Sequence, residues 1–195
     1  MKKNDIRTLT RLALLVAIEL VMKAVGLGSV PVGPLYMSFL TLPIAVGAIT
    51  MGPAAGAILG GVFGATSFIQ CFGMDTFGTT LFGINPVYTA IMCFVPRILM
   101  GLFCGLIYKA FGKKNYIKTG TALTSFCGGF INTVLFVGAL LLLFYNSDYI
   151  QSFGNSVIAV ISVLITFNAV IEWIACTVIG SAVSIALNKA LKKRF

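Results

Sequence analysis

Apolar residues run along this chain in long blocks, broken by short interruptions rich in glycine, proline or polar side chains. A helix needs about 20 consecutive apolar residues to cross a bilayer. Blocks of that kind fall near 9–27, 54–69, 87–110, 119–145 and 157–187, with a shorter one near 36–51. The interruptions are GSVPVGP at 28–34, the turn Gly52-Pro53, a polar and glycine-bearing stretch at 70–85, the basic loop GKKNYIK, and a polar loop at 146–155. Gly-Pro is a turn signal, and proline suits the first position of a helix. The pattern predicts an all-α membrane protein: a bundle of six transmembrane helices forming a single domain over residues 1–195.

Composition sharpens this reading. Only 10% of residues are charged and 58% are hydrophobic, whereas a globular domain carries roughly 25% charge. Mean hydropathy is +1.02. So few charges cannot cover a water-facing surface, which argues against a soluble enzyme. The N-terminus has a basic start and an apolar stretch, but no evident small-residue cleavage site, so it reads as a retained first helix.

The net charge of +9 does not point to nucleic acid, because the bases sit at the ends of the apolar blocks. Lys2, Lys3, Arg7 and Arg11 flank the first block. Lys109, Lys113, Lys114 and Lys118 flank the loop after the fourth. Lys189, Lys192, Lys193 and Arg194 close the chain. With six spans all three clusters fall on one side, and basic residues are retained in the cytoplasm. Both termini are therefore expected there. The opposite loops carry Asp75 and Asp148 and no Lys or Arg.

The five cysteines are odd in number and widely spaced, and there is no histidine. No metal site, disulfide framework or cofactor is expected. No P-loop is present, so ATP hydrolysis through one is excluded. Nor does any evident inverted repeat point to a self-contained secondary transporter.

Glycines 52, 56, 60 and 64 recur every fourth residue in GPAAGAILGGVFG. In lipid, helices associate by close backbone approach, which such a stripe permits. Ala13 and Ala17 form a smaller pair of the same spacing in the first helix. Charges within membrane helices are costly and usually functional. Glu19 and Lys23, four residues apart, are placed to pair with each other. Arg97 lies near the middle of the fourth predicted helix and Glu172 near the middle of the sixth. Arg97 would either pair with Glu172 or hold an anionic ligand, since its planar fork matches a carboxylate. Asn85, Asn132 and Asn168 lie at comparable depth, with Glu172 and Trp173 adjoining Asn168. Together they form a candidate lining for a small polar ligand.

The helix count, Ala13 and Ala17 in AxxxA spacing, and the GPxxGxxxG opening of the third helix resemble the substrate-binding S components of energy-coupling factor transporters. The likeness covers essentially the whole chain. DTFGTTLFGINP followed by FVPRILMG looks most like the pantothenate-type members. The resemblance implies a substrate-capture subunit that imports a water-soluble vitamin into bacteria, without being an enzyme. It implies a transmembrane coupling subunit and two cytoplasmic ATPases as partners, with Ala13 and Ala17 contacting the coupling subunit. It also implies a vitamin held under the loops at 28–36 and 70–85. Pantothenate offers one carboxylate, an amide and two hydroxyls, a sensible match for Arg97 with Asn85, Asn132 and Asn168. Folate or riboflavin would be the alternatives within the family, and a small membrane enzyme or a structural subunit the alternatives outside it.

Overall fold

The computed structural model describes residues 3–26, 30–32, 35–112, 117–153, 157–164 and 167–192. It is helical apart from one small hairpin. The elements are α1 (Lys3–Ala24), β1 (Val30–Val32), β2 (Leu35–Met37), α2 (Thr41–Met51), α3 (Pro53–Gln70), α4 (Thr76–Ile84), α5 (Pro86–Phe111), α6 (Ile117–Phe144), α7 (Asp148–Gln151), α8 (Val157–Leu164) and α9 (Phe167–Lys192). The strands pair antiparallel, Val30 opposite Met37 and Val32 opposite Leu35.

Among the described residues, four helices are long and apolar enough to cross a membrane: α3, α5, α6 over Lys118–Phe144, and α9 over Ala169–Leu187. The remaining two of the six expected spans differ from these. α1 has 22 residues, but Lys3, Asp5, Arg7, Arg11, Glu19 and Lys23 interrupt its apolar character. α2 has 11 residues, about 16 Å of helix, which is half a hydrocarbon core. The stretch at 70–85, read from sequence as a loop, contains α4. The loop at 146–155 contains α7, and the last apolar block is helical over α8 and α9, on either side of residues 165–166, which lie outside the described residues. The bases at 2, 113, 114, 193 and 194 lie outside the described residues.

Local chemistry sets the helix ends. Gly52 adopts φ +97°, a conformation costly for a residue with a side chain, and Pro53 follows at the first turn of α3. The α2–α3 turn is therefore sharp. Asp75 caps α4, its Oδ1 accepting from the Phe77 amide at 3.0 Å. Asn85 caps α5, its Oδ1 accepting from the amides of Val87 and Tyr88, each at 3.1 Å.

The centre of the bundle is a close antiparallel contact between α3 and α5. A methyl group added at Gly56 would overlap the carbonyl of Gly101; one at Gly60 would overlap the carbonyl of Arg97. One at Gly64 would lie 2.9 Å from the Cys93 carbonyl oxygen. Gly101 and Gly105 return the contact from α5, against Gly56 and Pro53. The four-residue glycine period thus does what its spacing suggested: two backbones touch along three turns.

Two apolar clusters flank this contact. One gathers Leu40, Ile44, Ala48, Leu59, Phe63, Met100 and Cys104, with Leu12, Leu15, Val16 and Met22 of α1 packed on it. The other gathers Phe77, Leu81, Met92, Val137, Leu140, Phe144, Ile150 and Val160. It explains why α4 and α7 are helical: each lays its apolar face on this second cluster. Outward-facing residues are apolar as well, among them Leu14, Leu142, Ile158 and Val178. An apolar exterior around a packed interior is the arrangement lipid solvation requires.

Candidate functional site

α5 contains Pro96 within its span. Proline has no amide hydrogen, so the carbonyl of Met92, four residues earlier, loses its helical partner. Arg97 fills that gap. Its side chain turns back along α5 and Nη1 donates to Met92 O at 2.6 Å. The guanidinium carbon then lies 5.3 Å from the Phe63 ring centroid and 4.6 Å from that of Phe136, within the range of cation–π attraction. Phe63 belongs to one apolar cluster and Phe136 packs on the other. Arg97 therefore sits at the seam between them, 8% exposed, with Nε lacking a hydrogen-bond partner among the described residues.

Glu172 and Arg97 are both buried and within electrostatic range of each other, yet they form no direct ion pair among the described residues. Glu172 Oε2 instead accepts from the backbone amide of Ser38 at 3.3 Å. That bond ties α9 to the segment just after β2, while Glu172 Oε1 has no partner among the described residues. Asn132 is buried on α6, its Oδ1 also without a partner among the described residues. Burying a polar atom unpaired costs roughly 1–3 kcal/mol. Arg97 Nε, Asn132 Oδ1 and Glu172 Oε1 together are donor and acceptor capacity held inside the bundle.

The other candidates are placed differently. The side-chain oxygen of Asn85 is committed to capping α5. Trp173 lies between α9 and α6: its Nε1 donates to Thr133 Oγ1 at 3.2 Å, and its ring meets Phe126 and Phe130 edge-on. It packs beside residues of the exposed apolar surface. The side chain of Asn168 lies outside the described residues, as does part of the stretch at 28–36.

Glu19 and Lys23 do not pair as their spacing suggested. Lys23 Nζ donates to Gln70 Oε1 at the end of α3, at 2.5 Å. Lys23 is also within electrostatic range of Arg97, Asp75 and Cys93. Sequence spacing offered the local partner and missed the tertiary one. Ala13 and Ala17 are exposed on α1, between the exposed apolar side chains Leu9, Leu14, Leu20 and Val21.

An apolar-surfaced helical bundle with a buried cation at its central seam is the frame of a membrane-embedded binding protein. The family model described as ECF transporter, substrate-specific component, matches residues 7–184, and the chain belongs to that family. It is similar to the pantothenic acid transporter PanT of Lactococcus lactis subsp. cremoris, at 28% identity over 97% of this chain and 98% of that one. It is also similar to the pantothenate transporter PanT of Leuconostoc mesenteroides subsp. mesenteroides, at 25% identity over 80% and 79% of the two chains. The chain is a multi-pass cell-membrane protein, and its relatives are transporters.

Proposed function

We propose that this chain is the pantothenate-capturing subunit of its transporter and not an enzyme, with Arg97 as the anchor for the vitamin carboxylate. The observation that carries the reading is the guanidinium itself. It is buried and flanked by two aromatic rings, its Nη1 is fixed by the carbonyl Pro96 releases, and Nε lacks a partner among the described residues. A planar cation with one edge fixed and the other available suits a carboxylate that approaches from the bundle interior. Asn132 and Glu172 offer acceptors toward the same ligand, its amide N–H among them, and Asn168 is a further candidate on α9. Asn85 and Trp173 support the site from its edge, by starting α5 and by packing α9 on α6. The names of the two relatives agree with this ligand.

In this reading residues 1–195 form one domain of six membrane-inserted helical segments with both termini in the cytoplasm. α2, about half a bilayer long, completes its segment together with the hairpin before it. The partners are a transmembrane coupling subunit and two cytoplasmic ATPases. The outward exposure of Ala13 and Ala17 supports a docking role for that face of α1, since small residues let a second helix approach closely.

Equilibrium binding of pantothenate, folate and riboflavin to the purified chain tests the ligand. Saturable binding of pantothenate, with the other two failing to compete, is the expected result. Displacement of pantothenate by either would mean the ligand is misassigned.

A further inference from the structure

Glu19 is the least explained group in the bundle. It is 1% exposed on α1, and neither carboxylate oxygen has a hydrogen-bond partner among the described residues. A buried carboxyl group without donors among the described residues is unfavourable inside a membrane protein unless something supplies donors to it.

Its place in the fold says where those donors would come from. Leu15, Val16 and Met22 lie three or four residues from Glu19, so they share its face of α1. They pack on the cluster containing Phe63, whose ring also faces the Arg97 guanidinium. The depth agrees. The Lys23–Gln70 hydrogen bond sets Glu19 one turn in from the Gln70 end of α3. Gly64 opposes Cys93 and Gly60 opposes Arg97, so the Arg97 side chain, reaching back to Met92 O, ends near the level of Gly64. Along the bundle axis the two groups therefore lie at similar depth, within about one helical turn of each other.

We infer that Glu19 recognises hydroxyl groups at the end of the substrate remote from its carboxylate. An anionic head on Arg97 and hydroxyl donors on Glu19 would fix which way round the molecule lies. They would also discriminate against acids of the same shape that lack the hydroxyls. The inference rests on the ligand reading above and adds a specificity-determining residue to it.

The test compares pantothenate with its dideoxy analogue, an N-acyl-β-alanine of the same carbon skeleton, by calorimetry on purified protein. Leaving a buried carboxyl group without its donors costs about 1–3 kcal/mol, so wild type should prefer pantothenate by roughly five- to a hundredfold. In Glu19→Ala the preference should collapse to about twofold or less, while binding of the analogue is little changed. Glu19→Gln, which keeps one acceptor oxygen and the side-chain shape, should fall between, and it carries the test if the alanine variant does not purify as a single species. A wild-type preference that survives intact in Glu19→Gln and Glu19→Ala overturns the assignment while leaving pantothenate as ligand. Equal weakening of both ligands overturns it too, since that marks a packing role. Failure of folded wild type to bind pantothenate removes the ligand reading and this inference together.

Discussion

Replacing Gly60 by alanine adds one methyl group within the close α3–α5 contact. That methyl would overlap the carbonyl of Arg97, a backbone atom that no rotamer change can move aside. The helices must separate or shift along each other. Overpacking of this kind costs about 1–3 kcal/mol, against which the better helix propensity of alanine returns up to about 1 kcal/mol. The neighbouring residue supplies the control. At Gly61 the same methyl meets only Ile98 Cγ1 at 3.9 Å, an ordinary contact, so Gly61→Ala should be neutral or slightly stabilising. Thermal unfolding of both variants in detergent measures the difference. Gly60→Ala should melt several degrees below Gly61→Ala and should also bind pantothenate more weakly, because the shift displaces the residue that carries Arg97. Equal melting temperatures would refute the close approach of α3 and α5.

Three further outcomes are expected. Arg97→Lys replaces the fork with a point charge and gives up the bond to Met92 O. Pantothenate affinity measured by calorimetry should fall roughly ten- to a hundredfold, the equivalent of about 1.5–3 kcal/mol. Ala13→Trp with Ala17→Trp should abolish uptake in cells while the isolated subunit binds its ligand normally, because these residues are exposed on α1. A cysteine placed at Lys114 in a background without native cysteines should resist an impermeant reagent in intact cells, whereas one beside Asp148 should react.

The glycine period announced a close helix contact, and the structure supplies its partner, α5, which no local pattern could have named. The Arg97 environment was partly legible. Pro96 in the sequence already implied an orphan carbonyl at Met92, and a long donor directly after the proline was the signal to follow. The Glu19–Lys23 spacing misled because a residue on α3, Gln70, outcompeted the local partner. α4 was hidden because Gly78 and Gly83 weaken its helical signal, while Phe77 and Leu81 secure it through burial. Asn85 read as a ligand contact, yet its side-chain oxygen is consumed in starting α5. A capping asparagine followed by proline and an apolar run is recognisable once that competing role is weighed.

The buried guanidinium of Arg97 is expected to meet the carboxylate of the ligand. Calorimetry of pantothenate against pantothenol, the same molecule with an alcohol in place of the acid, measures this directly in wild type and in Arg97→Gln. Wild type should bind pantothenate at least about tenfold more tightly than pantothenol, and Arg97→Gln, purified as a single folded species, should no longer distinguish the two. Equal binding of acid and alcohol by wild type, or an undiminished preference for the acid in Arg97→Gln, would contradict the account and leave Arg97 as part of the scaffold.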